Sequence, residues 1–233
     1  MLPKNTEMDE LLDGWEINTR CPLCQSEGIH YHKVVHSIPV VKARYQGIEM
    51  PMQTIICYWI CMDCGLIFQN PHMTSETLDR FYGDGIYREI YGHGDFEQRR
   101  IDRLVEFVRG YAFDSHLDLG CGQGMLVSAT RHAYACESVG LEWGEKPKGM
   151  FDLVSSIHVL EHTLDPLAHI KSLMAHANKY ILIEVPRVDT PGYLAHTLEI
   201  PTWTLHRLLK MAGLEIVKFD DNPGWATVLA EFM

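Results

Sequence analysis

No apolar run in the sequence is long enough to span a membrane, which excludes a transmembrane helix within these 233 residues. Positive charge is scarce. Lys and Arg number 20 against 31 Asp and Glu, giving a net charge of -11. That balance argues against a broad phosphate-binding surface, so nucleic acid is not an expected partner, although Arg99, Arg100 and Arg103 form a local basic patch. The opening residues MLPKNTEMDELLDGW lack the charged-then-apolar pattern of a secretory signal, and the expected location is the cytoplasm. Internal repeats and low-complexity tracts are also missing. The 7 cysteines are an odd number, which in a reducing compartment favours metal or free thiols over disulfides. The length leaves room for one sizeable core and a small appended module.

A further absence is instructive. The dinucleotide fingerprint G-x-G-x-x-G is not found, yet the chain contains His116-Leu117-Asp118-Leu119-Gly120-Cys121-Gly122-Gln123-Gly124, in which the third glycine comes one residue early. Leu117 to Leu119 reads as a buried parallel strand and Met125 to Ala133 as a helix. Strand, glycine turn and helix open a nucleotide-binding α/β unit, because glycine lets backbone approach a ligand and the helix start offers free N–H groups. A carboxylate at Asp118, two positions before the first glycine, would repel a pyrophosphate and suits a ligand carrying an ammonium group.

Upstream lie Cys21-Pro22-Leu23-Cys24 and, after 36 intervening residues, Cys61-Met62-Asp63-Cys64-Gly65. Each C-x-x-C can place two thiolates on one metal ion from a tight turn, and Gly65 supplies the positive φ such a turn needs. Cys21, Cys24, Cys61 and Cys64 together make a four-thiolate site for structural zinc. Strand-like runs fill the interval (31–35, 38–45 and 54–60), with Gln46-Gly47 as a hairpin turn. His30, His32 and His36 read as strand residues, since four cysteines complete the shell, and Cys57 reads as a core thiol. Thr74, Ser75 and Thr77 can cap a helix running to Tyr82. Residues 95–110 form an amphipathic helix whose arginines read as a solvated face.

The hydrophobic pair, Asp, and G-x-G-x-G of 116–124 resemble the first motif of class I S-adenosylmethionine-dependent methyltransferases. The order of the remaining motifs narrows the likeness. A cysteine knuckle runs into C-G-L-I-F-Q-N-P at 64–71. A short helix, spaced tyrosines (Tyr82, Tyr87, Tyr91) and the glycine motif follow. The later segments are Phe151-Asp152-Leu153-Val154, Val159-Leu160-Glu161-His162 and Asp165-Pro166. This order is similar to bacterial methyltransferases with an N-terminal zinc-binding domain, common in sugar and surface-glycan biosynthesis. The resemblance implies a Rossmann-like doubly wound α/β sheet ending in an antiparallel hairpin (215–220 and 227–232), behind a zinc ribbon. The expected domains are 1–72 (leader and zinc ribbon), 73–110 (helical connector and cofactor lid) and 111–233 (S-adenosylmethionine-binding domain).

It also implies roles. The cofactor site would draw on Asp118, Gly120, Cys121, Gly122 and Gly124. Glu142, at the tip of the second strand, would take both ribose hydroxyls, and Trp143 would stack on adenine or pack at a domain seam. The backbone of Ser156 and Ile157 would meet the cofactor's ammonium end, and Tyr91 would close over it. His158, at the tip of the fourth strand, would act as general base on an acceptor hydroxyl or pack on the cofactor. His162, one turn on, is a second candidate with a structural role as its rival. Arg187 and His196, the latter in the excursion 192–200, would touch the acceptor. That acceptor is expected to be a small polar molecule, a sugar, nucleotide sugar or glycan precursor. The chain departs from the family where only about seven residues separate Trp143 from Phe151. The sheet should therefore lack one edge strand, leaving the adenine side open or closed by the tyrosine segment or by a second subunit of a homodimer. This departure keeps two other readings in play: a zinc-ribbon adaptor on a degraded methyltransferase scaffold, and a methyltransferase acting on tRNA or protein.

Overall fold

The computed structural model describes residues 14–36, 44–45, 48–49, 55–83, 95–142, 144–188 and 196–233. Tyr87, Tyr91, Trp143 and the Gln46-Gly47 turn lie outside them. The first seven strands are β1 (Trp15–Glu16), β2 (Ile29–His36), β3 (Arg44–Tyr45), β4 (Ile48–Glu49), β5 (Ile55–Cys61), β6 (Ile67–Gln69) and β7 (His72–Met73). Helices α1 (Ser75–Gly83) and α2 (Asp95–Phe107) follow. The remainder is β8 (Ser115–Leu119), α3 (Met125–Tyr134), β9 (Glu137–Leu141), β10 (Phe151–Ile157), a 3₁₀ turn at Leu160–His162, α4 (Pro166–Met174), β11 (Ala177–Pro186), β12 (Leu198–Glu199), α5 (Thr202–Ala212), β13 (Leu214–Asp221) and β14 (Trp225–Phe232).

Among the described residues the main sheet has six strands, in the order β9-β8-β10-β11-β14-β13. The first four are parallel, and β14 and β13 close the sheet antiparallel. This is the expected Rossmann-like methyltransferase sheet with its terminal hairpin. Between β9 and β10, residues 144–150 hold no strand, so among the described residues β9 is an edge, as the short interval implied. Both faces of the parallel strands are covered, which is why their sequences read as unbroken apolar runs. Leu153, Leu182 and Leu229 point to α2 and α3, where they meet Ile101, Leu104 and Leu126. Val154, Ile181, Ile183 and Val228 point the other way, to Ile170 and Leu173 of α4 and Leu205, Leu208 and Leu209 of α5. The alternation also sorts the polar residues: His116, Asp118, Ser155 and Glu184 face α2 and α3, whereas Ser156 faces α4.

The cysteine module shares the second of these cores. Cys21, Leu23, Cys61, Cys64, Leu66 and Phe68 are buried in one cluster with the α5 leucines. The seam is hydrogen-bonded as well: Thr204 Oγ1 donates to the Cys64 carbonyl at 3.0 Å, and the Arg207 guanidinium donates to the carbonyl of Asp63. Four antiparallel strands make the module's sheet, in the order β12-β6-β5-β2. β12 comes from far along the chain, with Leu198 opposite Phe68 and Glu199 opposite Ile67. The excursion after β11 therefore returns as an edge strand of the module.

One local expectation is corrected, and the structure places two helix ends. The arginines of α2 are not all on a solvated face: Arg103 turns inward, pairing with the buried Glu184 and reaching Asp220 at 3.3 Å. Arg103 Nη1 also donates to Thr227 Oγ1 at 3.0 Å. Its stem lies along α2, but its head pairs with a carboxylate that burial would otherwise leave costly. α5 has no side-chain N-cap; Pro201 holds the cap position and Thr202 is already helical, donating instead to Asp221 at 3.3 Å. α4 ends at Met174, three residues before Ala177 begins β11. By contrast Thr74 caps α1 as expected, accepting from the Thr77 N–H at 3.2 Å.

Gly65 ties the knuckle turn to α5. Its φ is 76°, and an added Cβ would lie 2.2 Å from Trp203 Nε1 and 3.0 Å from Thr204 Oγ1. Gly65→Ala should lower the unfolding free energy by about 1–3 kcal/mol, through left-handed strain and displacement of the Trp203 ring. Urea denaturation reads this directly, and an unchanged midpoint would show that the seam tolerates a methyl group.

Candidate functional site

The glycine turn sits at the C-terminal end of β8, where ligands bind in open α/β sheets. Gly120 adopts φ 82°, and a Cβ there would approach Val159 Cγ2 to 2.4 Å, so no other residue fits without moving the loop after β10. Gly120 and Cys121 donate their N–H groups to the Leu141 carbonyl at 2.7 and 3.2 Å, which draws the turn toward the tip of β9. Gly122 and Gly124 also have positive φ, and nothing lies within 4 Å of where their Cβ atoms would be. The space over the turn is thus open to a ligand, and α3 starts there with no side-chain cap. Its first N–H groups remain available.

Asp118 lies beneath this turn, 3% exposed. Ser155 Oγ donates to its Oδ1 at 2.5 Å across the β8–β10 pairing. Ser155 is held in turn by His116 Nε2 at 2.8 Å, and His116 Nδ1 meets Ser138 Oγ at 2.9 Å and Thr130 Oγ1 at 2.8 Å. The carboxylate only accepts, so Ser155 spends its proton on Asp118 and must accept from His116 Nε2–H. His116 is therefore the neutral Nε2–H tautomer, and burial pushes its pKa down to about 3. Burial likewise raises the Asp118 carboxyl to about 6, against the hydrogen bond from Ser155 and the charge of Arg100. A neighbouring ammonium group would relieve that cost. Glu142, just past β9, has Oε1 3.5 Å from Cys121 Sγ, and its N–H donates to Glu145 Oε2 at 2.7 Å. Its carboxylate stands beside the glycine turn with two acceptor oxygens. Open space, a buried acid and a carboxylate at the second strand's tip are a donor and acceptor set that fits S-adenosylmethionine.

Ser156 and Ile157 end β10. The Ser156 hydroxyl is turned to α4, 2.9 Å from His169 Nε2, which leaves only its backbone on the strand for a ligand. His158 follows in the left-handed region at φ 55°, a costly conformation for a histidine, and its N–H donates to the Glu184 carbonyl at 2.9 Å. Its ring lies between two buried carboxylates. Nδ1 is 3.5 Å from Glu161 Oε1 and Nε2 is 3.3 Å from Glu184 Oε1. Burial opposes protonation, but the two carboxylates outweigh it and hold the His158 pKa above the usual range. Glu184 also accepts from Thr227 Oγ1 at 2.6 Å and pairs with Arg103, which stacks 4.9 Å from the centre of the Trp225 ring. One turn beyond His158, the rings of His162 and His196 are 4.8 Å apart. Arg187 is tied to the hairpin instead, pairing with Asp221.

The structure thus gathers Asp118, the three glycines, Cys121 and Glu142 around one turn. It gathers His158, His162 and His196 around Glu161. Sequence reasoning passed over His116, Ser155, Glu161, Glu184 and Arg103. One signal was legible: Glu184 interrupts the apolar run Ile181-Leu182-Ile183 and Val185, and a charge within a buried strand demands a partner.

The cysteines form a separate centre. The Sγ atoms of Cys21, Cys24, Cys61 and Cys64 all lie within 4.8 Å of one another, with Cys21–Cys64 and Cys24–Cys61 at 3.5 Å. Thiolates at ~2.3 Å from a tetrahedral ion are about 3.8 Å apart, so the quartet has the dimensions of a zinc site. Each knuckle is closed by a backbone hydrogen bond, the Gln25 N–H donating to the Cys21 carbonyl at 3.0 Å and the Gly65 N–H to that of Cys61 at 2.9 Å.

The Asp118 carboxyl gives a stability test. Its folded pKa of about 6 exceeds the ordinary value of 3.8, so the folded chain holds this proton more tightly. The resulting stabilisation is fully present below about pH 4 and is lost as the pH rises through 6. Asp118→Asn keeps the acceptor for Ser155 without the charge. It should stabilise the ligand-free chain by about 3 kcal/mol at pH 7.5 and by progressively less toward pH 4. Chemical denaturation across that range measures it, and equal effects at both ends would refute the buried-charge assignment.

Comparison with known proteins places this geometry. Residues 93–219, more than half of the chain, match the family described as "Methyltransferase domain". Among solved structures, magnesium protoporphyrin IX methyltransferase from Synechocystis PCC 6803, with bound S-adenosylhomocysteine, is similar at a TM-score of 0.51 and 16% identity, over 68% of this chain and 99% of that one. The plantazolicin methyltransferase BpumL, in complex with a monoazolic desmethylPZN analog and S-adenosylhomocysteine, also reaches 0.51, at 10% identity over 66% of this chain and 93% of that one. At these identities the likeness is one of fold. No curated protein sequence matches the chain. With the family matched over the span that holds the glycine turn, Glu142 and the buried Asp118, the chain belongs to the class I S-adenosylmethionine-dependent methyltransferases.

Proposed function

We propose that this chain methylates a small polar acceptor, a sugar, nucleotide sugar or glycan precursor, and that its cysteine quartet holds a structural zinc ion. The observation that carries the acceptor reading is the imidazole and carboxylate cluster at the tips of β10 and β11. An acceptor hydroxyl needs to lose a proton, and His158 is the proposed base, its ring held at the tip of β10 with Nε2 3.3 Å from Glu184 Oε1. Asp118 would take the cofactor's ammonium group, Glu142 the ribose hydroxyls, and the amides around Gly122 and Gly124 the rest of its polar edge. When bound, the cofactor supplies a methyl group on a sulfonium already primed to leave, so the protein's share is orientation and proton removal. His196 is the residue of the excursion proposed to touch the acceptor. Arg187 would do so only by leaving Asp221. The fold neighbours act on a porphyrin and on plantazolicin, so the sugar class rests on the motif order of the sequence.

The missing edge strand beside β9 favours a second reading, an adaptor built on a methyltransferase scaffold that has lost its cofactor site. Calorimetric titration with S-adenosylhomocysteine separates the two. Micromolar binding, lost in Asp118→Ala, is the result expected, followed by S-adenosylhomocysteine release in a screen of nucleotide sugars. Folded protein that ignores millimolar ligand would establish the adaptor. Binding with turnover only on tRNA or protein would overturn the small-acceptor assignment.

A further inference from the structure

We propose a second metal site, distinct from the cysteine quartet, in which Glu161, His162 and His196 bind one divalent cation of the zinc, iron(II) or cobalt(II) type. One ligand atom from each of the three lies within 4.8 Å of the others. His162 Nε2 is 3.8 Å from Glu161 Oε1. Ligand atoms on a tetrahedral ion at ~2.0–2.1 Å sit about 3.4 Å apart, so closure needs side-chain shifts of a few tenths of an ångström to about 1 Å.

The carboxylate carries the argument. Glu161 is 1% exposed, and neither of its oxygens receives a hydrogen bond. The nearest imidazole nitrogens, His158 Nδ1 and His162 Nε2, are at 3.5 and 3.8 Å, too far for one. Burying an ionised carboxylate on those terms is costly, and a cation between it and two imidazoles would repay it. The donor set of two imidazoles and one carboxylate selects the borderline metals over Mg²⁺ and Ca²⁺, which prefer oxygen shells.

The third ligand is built in from a distance. The His196 carbonyl accepts from Tyr58 Oη at 3.0 Å and from Gln69 Nε2 at 2.7 Å, both in the cysteine module. Thr197, next in the chain, donates its hydroxyl to the carbonyls of Glu161 at 3.2 Å and Thr163 at 2.7 Å, while its own carbonyl accepts from the Gln69 N–H at 2.8 Å. The backbone of His196 and Thr197 is therefore fixed against both the 3₁₀ turn and the module, which brings the His196 imidazole to the other two ligands. A bound ion would tie His196 to the 3₁₀ turn that carries Glu161 and His162. Three protein ligands leave at least one position open to water or, if the proposed acceptor chemistry holds, to an acceptor oxygen.

The test uses tag-free, full-length protein already loaded with zinc, titrated with Co²⁺ and followed by absorbance and metal analysis. About one further equivalent should bind, giving d–d bands without the thiolate-to-cobalt charge transfer that marks the cysteine site. Glu161→Gln and His196→Ala should each weaken this binding more than about tenfold while the quartet keeps its zinc. His196 is anchored through its backbone, so His196→Ala should melt as the wild type does, and it decides the matter should Glu161→Gln misfold. No second equivalent at millimolar Co²⁺ would overturn the proposal, as would binding unaltered in a folded His196→Ala. Both outcomes are read without S-adenosylhomocysteine, so they stand apart from the methyl-transfer reading.

Discussion

A carboxylate buried beneath a glycine turn sets the terms for the rest of this structure. Asp118 cannot be solvated there, and the chain answers with a line of neutral hydrogen-bond partners: Ser155, then His116, then Ser138 and Thr130. Each link depends on the sheet register. Ser155 stands opposite Asp118 on β10, and Ser138 opposite His116 on β9. A one-residue slip of either strand would turn these polar side chains into the opposite core and break the line. The register that builds the core therefore also aims the acid. The acid's raised pKa leaves the site short of one positive charge, and in the proposed function the cofactor supplies it.

The second constraint is the union of the cysteine module with the catalytic domain. A ribbon of this size buries little by itself. Here its cysteines share a core with α5, and β12 joins its sheet from the far side of β11. The same return places His196 beside the turn that carries Glu161 and His162. The metal-binding, cofactor and acceptor functions proposed for the chain would then be coupled through the hydrogen bonds that Tyr58 and Gln69 donate to the carbonyls of His196 and Thr197. Loosening the module would be felt at the tips of β10 and β11.

Much of the fold was legible because it is written in local signals. The apolar runs of β10 and β11, the glycine turn, the two cysteine pairs and the short interval after β9 each carry their meaning within about ten residues. The unread parts depend on partners far away in sequence. Nothing around Arg103 distinguishes it from Arg99, because what turns it inward is Glu184, 81 residues on. β12 is two residues long and exists only because β6 offers an edge. His116 looked like one more strand residue, and its role emerged only when Ser155 and Ser138 were placed on either side.

The central claim is that the buried Asp118 carboxyl awaits a cation from the cofactor, and its own titration tests this most directly. Carboxyl-carbon NMR of Asp118, assigned by loss of the signal in Asp118→Asn, should give a pKa of about 6 in the ligand-free chain. With S-adenosylhomocysteine at saturation the same signal should titrate at least a full unit lower, as an adjacent ammonium favours the ionised form. A pKa near 4 without ligand, or one near 6 that saturating ligand leaves in place, would contradict the account.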